Sequence, residues 1–368
     1  MKKTPAHSIL LFLALAIVTV AVLVSCELGS LVQDPEDTDV TDTVYKPIED
    51  VTTATTTATP CTTLPAATTS PPLTTAPPVT TAPPVSYYHP LTGLACSAAA
   101  ATERPLAFCV KQAASSDIAA ADLVIEAPTE GSTTRLSLIG TSHSEHFGNL
   151  AIASTRPYLA ALSHDFFGIS IYRGTSDNGY SSTALLYDTL DLSVNEIEEN
   201  KAALWAALQN AGHQTQTVGS IALPYQLAAL GEVNKPNGNA ASYAAIPFGS
   251  GVTSFTFDAV SNVYTMRSSA ALETDGGTLP AFSNLLILFH DATRRITKDG
   301  IELTLDTELG GYGYYLSAGH AMPILWRRDP ATSSLRITDR DGIPLTVNRG
   351  KTYIGMTTYE HREELILN

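Results

Sequence analysis

The stretch Ala121–Gly140, ADLVIEAPTEGSTTRLSLIG, predicts the centre of the fold. Two apolar runs flank a short polar turn, a pattern typical of two antiparallel strands joined by a hairpin. The turn carries Glu130, with Glu126 just before it and Arg135 just after it. A strand, a short turn and a return strand would bring residues 126 and 135 level across the ladder. We therefore expect these charges to meet at one end of a sheet.

Strands and helices are predicted on both sides of this stretch, up to about residue 240. Apolar runs predict strands over residues 105–110, 122–128, 134–141, 150–154 and 168–173. A helix is predicted over residues 157–165, which open with Pro157, and another over residues 194–211, where Leu204, Trp205 and Leu208 recur at helical spacing. This alternation favours an α/β layer architecture for an N-terminal domain over residues 87–240.

Residues 241–368 contain short strand-like runs and tight turns. The runs TSFTF, VYTMR, NLLILFH and IELTL come first, and GYYLSAGHAMPILWRR then predicts a hairpin about residues 317–320. SLRITDRDGIPLTV predicts a second hairpin, which turns through Asp341-Gly342, a strong two-residue hairpin signal. These patterns predict a small β-rich C-terminal domain, or a continuation of the first sheet.

The N-terminus carries a secretion signal. Lys2 and Lys3 precede an apolar run over residues 9–24, and the run ends in Leu23-Val24-Ser25-Cys26. This ending resembles the lipobox of bacterial lipoproteins, which implies cleavage before Cys26, diacylation of its thiol and attachment to the outer face of the cell membrane. The alternative is an uncleaved membrane anchor, since the run is close to spanning length.

Residues 27–86 are predicted to be a disordered tether. They are acidic at first and then rich in Thr and Pro, with repeats such as TTAPPVTTAPPV. Such a segment buries too little apolar surface to offset the entropy lost on ordering. The repeats could accept O-glycans, but a solvated spacer is the simpler interpretation.

Charge and cysteine content limit the partners and cross-links. The formal net charge of −15 divides into +2 for residues 1–26, −7 for residues 27–86 and −10 for residues 87–368. An acidic domain has no electrostatic footprint for nucleic acid, so membrane attachment should come from Cys26 alone. Cys96 and Cys109 could pair outside the cell, although Cys109 lies in the apolar run RPLAFCV, where a buried free thiol is typical.

Several motifs are similar to one family. HPLTGL, ADLVIEAPTEGSTTRL and STRPY resemble the N-terminal domain of YerB-like bacterial lipoproteins, known as domain of unknown function 3048. ILWRRDPAT and DRDGIPLTVNRGKTYIG resemble the second domain of that family. The resemblance spans about residues 88–357 and implies a lipid-anchored envelope protein with two domains and no established activity. Residues that match the family pattern are Glu126, Glu130, Gly131, Arg135 and Arg156. The chain departs from it at Ala153, at residues 171–174 and at KQAASSD.

The charged cluster admits three interpretations. Glu126, Glu130, Arg135 and Arg156 could form a structural ion network, a clamp for an anionic ligand, or the acid and base of a hydrolase. Two neighbouring arginines would keep both carboxyl groups ionised, which disfavours acid–base catalysis. The first hypothesis is a non-catalytic binding module for a wall-derived or small anionic ligand. The alternative is an envelope hydrolase that uses Glu126 and Glu130.

Other chemical motifs are sparse. The sequence has no Gly-x-Ser-x-Gly, Walker, His-Glu-x-x-His or Cys-x-x-Cys pattern. His143-Ser144-Glu145-His146 has metal-ligating residue types but is more typical of a solvated turn. No metal site and no cofactor are therefore predicted.

Overall fold

The computed structural model describes residues 86–368 apart from residues 131–132, 141–146, 148–149, 175–187, 194–196, 199, 217–220, 250, 298–299 and 330. The described residues belong to one unit of the chain, residues 80–368. The signal segment, Cys26 and residues 27–85 of the predicted tether lie outside the described residues, as does the His143–His146 motif.

Eleven strands of the described residues pair in one mixed sheet, with strands numbered in chain order. Their spatial order is β10 (Asn239–Ala240), β20 (His320–Arg328), β19 (Gly311–Ser317), β16 (Asn284–His290), β23 (Thr352–Thr358), β5 (Leu123–Thr129), β6 (Thr133–Gly140), β3 (Leu106–Val110), β7 (Ile169–Tyr172) and β8 (Thr189–Asp191), with β21 (Leu335–Thr338) beside β20. The pairs β16–β23 and β23–β5 are parallel, as are β3–β7 and β7–β8.

The central strands are buried on both faces. β16, NLLILFH, and β3, LAFCV, are buried at every position. Successive side chains point to opposite faces, so Leu285 and Ile287 join one core cluster while Leu286 and Leu288 join the other. A strand covered on both sides reads as a continuous apolar run without alternation, which explains the sequence pattern.

A second, antiparallel sheet covers one face of the first. It consists of β15 (Ala281–Phe282), β13 (Val263–Ser268), β12 (Val252–Asp258), β11 (Tyr243–Pro247) and β24 (Ile366–Leu367). Phe255 of β12 meets Tyr353 of β23 edge-on, with ring centroids 4.7 Å apart, and Phe282 meets the same ring at 5.7 Å. These aromatic contacts hold the two sheets together.

Helices cover the remaining surfaces. They are α1 (Ala98–Thr102), α2 (Ser115–Ala120), α3 (Pro157–Asp165), α4 (Lys201–Asn210) and a 3₁₀ helix (Tyr359–Glu364). α3 has the predicted bounds and packs Leu159 and Leu162 into the core on the face opposite the second sheet. α4 begins at residue 201 because the Asn200 side chain accepts a hydrogen bond from the Ala203 backbone N–H at 3.0 Å, a normal N-cap. No helix in this part of the chain is long and apolar enough to span a membrane.

Four two-stranded pairs complete the described structure. They are β1 (Tyr87–Tyr88) with β2 (Ala95–Cys96), β4 (Ala113–Ala114) with β14 (Leu272–Glu273), β9 (Gln226–Leu227) with β22 (Thr346–Val347), and β17 (Ala292–Thr297) with β18 (Gly300–Leu305).

The predicted fold class holds only in part. Strands predominate and helices are few, so the α/β expectation for residues 87–240 is fulfilled only coarsely. The predicted strand at residues 150–154 forms a single bridge, between Ile152 and Val110. The hairpin about residues 317–320 is confirmed. The second hairpin also turns through Asp341-Gly342 as predicted: Thr338 and Pro344 form an antiparallel bridge, and the Leu345 backbone N–H donates to Ile337. Beyond this short pairing, β22 pairs in parallel with β9.

The segments before and after residue 240 share the large sheet. β5 lies between β23 and β6, so a strand from the second segment pairs directly with one from the first. Of the two alternatives for residues 241–368, the structure contains the continued sheet.

Candidate functional site

The register of the β5–β6 hairpin separates the predicted charged residues. Glu126 lies opposite Leu136, and Ala127 lies opposite Arg135. Because residues opposite each other share a face and neighbours alternate, Glu126 and Arg135 point to opposite faces of the sheet. The expectation that residues 126 and 135 lie opposite each other in the ladder is therefore wrong, because the register differs by one residue.

Glu126 is fully buried between the two sheets. Its carboxylate accepts hydrogen bonds from four hydroxyl groups: Thr134 at 2.9 Å, Ser269 at 3.1 Å, Thr253 at 2.8 Å and Tyr353 at 2.6 Å. Burial raises the pKa of Glu126, although the hydrogen bonds, first that from Tyr353, act in the opposite direction. No cationic side chain in the described ranges forms an ion pair with it, so the carboxyl group fastens β12 to β5 and β23 and is closed to ligands.

Glu130 and Arg156 form the predicted Glu–Arg pair. Arg156 Nη2 donates to Glu130 Oε2 at 2.6 Å, and Arg156 Nε lies 3.0 and 3.1 Å from the two carboxylate oxygens. The backbone N–H of Leu303 donates to Oε1 at 3.2 Å. Burial alone would raise the pKa of Glu130, but the hydrogen bonds and charge of Arg156 bring that pKa below its usual value. The pair joins the β5–β6 turn to the start of α3 and to β18.

Arg135 has unused hydrogen-bonding capacity. Its Nη1 donates to the backbone oxygen of Thr134 at 3.2 Å, while its buried Nε has no hydrogen-bond partner among the described residues. Ala127, which lies opposite Arg135, belongs to the core cluster that contains Leu159 and Leu162 of α3, so Arg135 lies on the α3 face of the sheet. Glu130 and Arg156 are thus in direct contact, Arg135 shares the α3 face, and Glu126 lies on the opposite face.

This arrangement does not supply the carboxyl pair that a hydrolase needs. Glu126 is sealed on one face, and Glu130 is held by a guanidinium on the other. An acid and a base must both reach one scissile bond, with pKa values that differ.

A cleft of about 240 Å³ lies at the carboxyl ends of the parallel strands β5 and β23. Pro128, Phe248, Ile301 and Leu303 form its apolar walls, and Glu130 lies at its side. In open sheets, ligands bind in crevices outside the carboxyl ends of parallel strands. The cleft is therefore placed where a ligand is expected.

Three polar groups of the cleft were not predicted from the sequence. The buried hydroxyl of Thr358 lacks a hydrogen-bond partner in the part of the chain that the structure describes. Arg294 reaches the cleft from β17 and pairs with Glu360 at 2.7 Å, and His361 pairs with Glu364 at 2.8 Å. The sequence signal was TTYEHR, a polar run at the end of a fully buried strand.

A larger cavity, of about 590 Å³, lies beside the C-terminus of α3. Two of its charged groups, Asp165 and Arg328, form a buried pair: both Nη atoms of Arg328 donate to the Asp165 carboxylate at 2.8 Å, and Nε donates to the backbone oxygen of Thr307. Because this pair is buried, whereas the pair of Arg294 in the smaller cleft is exposed and more easily exchanged, the smaller cleft is the better candidate for a binding site.

Neither metal-ligating residues nor cysteines provide a second candidate site among the described residues. No group of three or more His, Cys, Asp or Glu that could hold a metal ion occurs within the described ranges. Cys96 and Cys109 are free thiols, and Cys109 is buried as a small apolar residue would be.

Comparisons with known proteins agree with this architecture. Residues 91–221 match the N-terminal domain, and residues 244–354 the C-terminal domain, of a "protein of unknown function (DUF3048)" family. The chain is 25% identical over 289 residues to "Putative lipoprotein YerB" of Bacillus subtilis (strain 168), which covers 73% of this chain and 85% of that protein. A crystal structure of YerB from Bacillus subtilis matches with a TM-score of 0.56 and 22% identity, over 73% of this chain and 96% of that one. At this identity the structural match shows the fold alone.

Proposed function

The chain belongs to the DUF3048 family, and from this membership we propose that it is a lipid-anchored protein of the bacterial cell envelope that binds a small anionic ligand without catalysis. The anchor is Cys26. The positive N-terminus, the apolar run over residues 9–24 and the Leu-Val-Ser-Cys ending support it, and the similar Bacillus subtilis protein is named "Putative lipoprotein YerB". Two acyl chains on Cys26 suffice for stable anchoring.

The cleft between the ends of β5 and β23 is the observation that carries the binding proposal. It combines apolar walls with the Arg294 guanidinium, the His361 imidazole and the unpaired hydroxyl of Thr358. Pockets that bind small molecules have this composition, apolar surface with a few convergent polar groups. Arg294 and His361 are held only by partly exposed carboxylates, and such exposed pairs contribute little, so an incoming anion can compete for them.

Glu130 forms part of the cleft lining on the side of α3. The Arg156 guanidinium fixes the Glu130 side chain and offsets its charge. The domain around the cleft has a net charge of −10, which favours a small ligand over a polyanion.

Binding can be measured by isothermal titration and thermal shift with acetate, inorganic phosphate and a soluble peptidoglycan digest as probes. Arg294→Gln and Thr358→Val should weaken binding of the productive probe about tenfold each, since each removes one hydrogen-bonding group. Arg336→Gln is the matched control, because Arg336 is exposed and pairs with Asp329 away from the cleft. Equal affinity in all four proteins would refute the cleft as the site.

The anchor is tested separately by metabolic labelling with an alkyne fatty acid. Cys26→Ala should carry no label and accumulate as a soluble or uncleaved form. Label that persists on the variant would contradict acylation at Cys26.

A further inference from the structure

The hairpin of β17 and β18 forms the outer wall of the cleft and carries an apolar pair at its tip. Near its base, Leu303 and Leu305 are buried against α3 and the core. Near its tip, Ile296 and Ile301 lie directly opposite each other in the ladder and are 87% and 58% exposed. Opposite residues of an antiparallel pair lie on the same face of the hairpin. Ile301 and Leu303 line the cleft, so Ile296 lies on the face that is turned toward the cleft.

The same face of the hairpin also carries the cleft's guanidinium. Arg294 is two residues before Ile296 and therefore points to the same side of the strand. Arg294, Ile296 and Ile301 thus present one positive charge beside a pair of branched apolar side chains. Isolated exposed apolar residues are ordinary, but a facing pair beside a charged cleft has the composition of a contact surface.

The size of the cleft indicates which part of a ligand enters it. A volume of about 240 Å³ is below the usual range of about 300–1,000 Å³ for small-molecule pockets. The end of a longer molecule fits such a space, with the remainder passing out beside the hairpin. The unpaired Thr358 hydroxyl would find a partner in a peptide group but not in an acyl chain.

We propose, on the basis of the proposed function, that the ligand is the carboxyl-terminal end of a peptide whose last residue is apolar. Its carboxylate binds Arg294 and His361, its last amide binds the Thr358 hydroxyl, and its apolar side chain packs on Ile296 and Ile301. The charge of the carboxylate complements Arg294, and burial of the two isoleucines supplies the affinity.

The test uses the N-acetyl derivatives of glycine, alanine, valine and leucine as probes for isothermal titration. Burial of one methylene contributes about 0.8 kcal/mol, so Kd should fall by up to about fourfold for each added carbon. N-acetyl-leucine amide should bind at least about tenfold more weakly than N-acetyl-leucine, because it lacks the charge. The double variant Ile296→Ser, Ile301→Ser should lose this dependence of Kd on side-chain size. Val260→Ser is the control, since Val260 is 97% exposed in a different turn.

The outcomes separate this inference from the proposed function. A wild-type protein that binds all four probes equally would refute the apolar contact and leave anion binding in place. Tighter binding of octanoate than of N-acetyl-leucine would refute the peptide in favour of an acyl anion. Failure of acetate, phosphate, the peptidoglycan digest and every carboxylate probe to bind would refute both proposals.

Discussion

Glu126 places a titratable carboxyl group among four hydroxyls, without a cation beside it in the described structure. Burial favours its protonated form, so its pKa in the folded state lies above the unfolded value. The folded protein then binds the proton more tightly than the unfolded chain. The contribution of Glu126 to stability is complete below the ordinary pKa near 4.5 and is lost as the pH rises through the folded-state pKa.

Glu126→Gln should therefore remove part of the pH dependence of stability. The amide keeps the volume and can exchange hydrogen bonds with the rotating hydroxyls, so the variant should gain stability relative to wild type as the pH is raised. Urea denaturation across a pH series measures this difference. Glu126→Leu is the matched comparison and should cost at least about 3 kcal/mol, because it leaves several buried hydroxyls without an acceptor. A constant difference between Glu126→Gln and wild type at every pH would contradict the account.

The two arginines should respond differently to substitution. Arg156→Ala leaves the half-buried Glu130 without its partner and should cost about 2–3 kcal/mol, less than a fully buried pair because solvent reaches both groups. Arg135→Leu removes a buried, unpartnered Nε and should change the free energy of unfolding by less than about 1 kcal/mol. Urea denaturation at pH 7 measures the free energy of unfolding of both variants. A larger loss in Arg135→Leu than in Arg156→Ala would show that Arg135, and not Arg156, stabilises the fold.

At the scale of elements, Asp165 at the end of α3 is joined to Arg328 in β20. Their side chains are only 7% and 8% exposed, and two hydrogen bonds of 2.8 Å connect them. Asp165→Ala should cost about 3–5 kcal/mol, since it removes the buried carboxylate that pairs with Arg328, and Glu308, 3.7 Å from Nε, is largely exposed. Arg294→Ala is the exposed comparison and should cost about 0.2–1 kcal/mol. Thermal melts in which Arg294→Ala loses more stability than Asp165→Ala would refute the stabilising role of the Asp165–Arg328 pair.

Local patterns predicted some of the elements and could not predict others. Pro157 at the first turn and the apolar spacing that follows it are local signals, and α3 has the predicted bounds. β3, β5, β6 and β7 were also predicted, because each contains several closely spaced apolar residues. The pairing of β22 with β9 depends on a contact across more than a hundred residues, and the sequence contains no local sign of it.

The residues of the candidate site were likewise predicted only where local sequence patterns place them. The Glu130–Arg156 pair was predicted, because the hairpin turn and the helix start are close in topology. The position of Glu126 was wrong, since a shift of one residue in register moves a side chain to the other face. Arg294, Thr358 and His361 were missed, because the cleft forms only when β17, β23 and the 3₁₀ helix meet β5.

At the scale of the whole molecule, residues before and after position 240 form interleaved parts of one sheet. β5 and β23 exchange backbone hydrogen bonds, and Glu126 of the first part bonds to Thr253 and Tyr353 of the second. A chain of residues 87–368 should therefore unfold in a single cooperative transition. Residues 87–240 alone should show no such transition in calorimetry, and independent melting of this fragment would contradict the shared core.

The predicted tether should be dispensable for this fold. Protein that begins at Ser86 should melt within about 2 °C of protein that begins at Glu27, because a solvated spacer contributes no buried surface. A large loss of stability on removing residues 27–85 would show that these residues are part of the folded structure.

The central claim, that the cleft at the ends of β5 and β23 binds the ligand, is tested most directly by hydrogen–deuterium exchange of residues 86–368 with and without a soluble peptidoglycan digest. We expect slower exchange at residues 247–249, 293–303 and 357–361, and unchanged exchange at residues 332–335 beside the larger cavity. Protection confined to residues 332–335, with no change around the cleft, would contradict it.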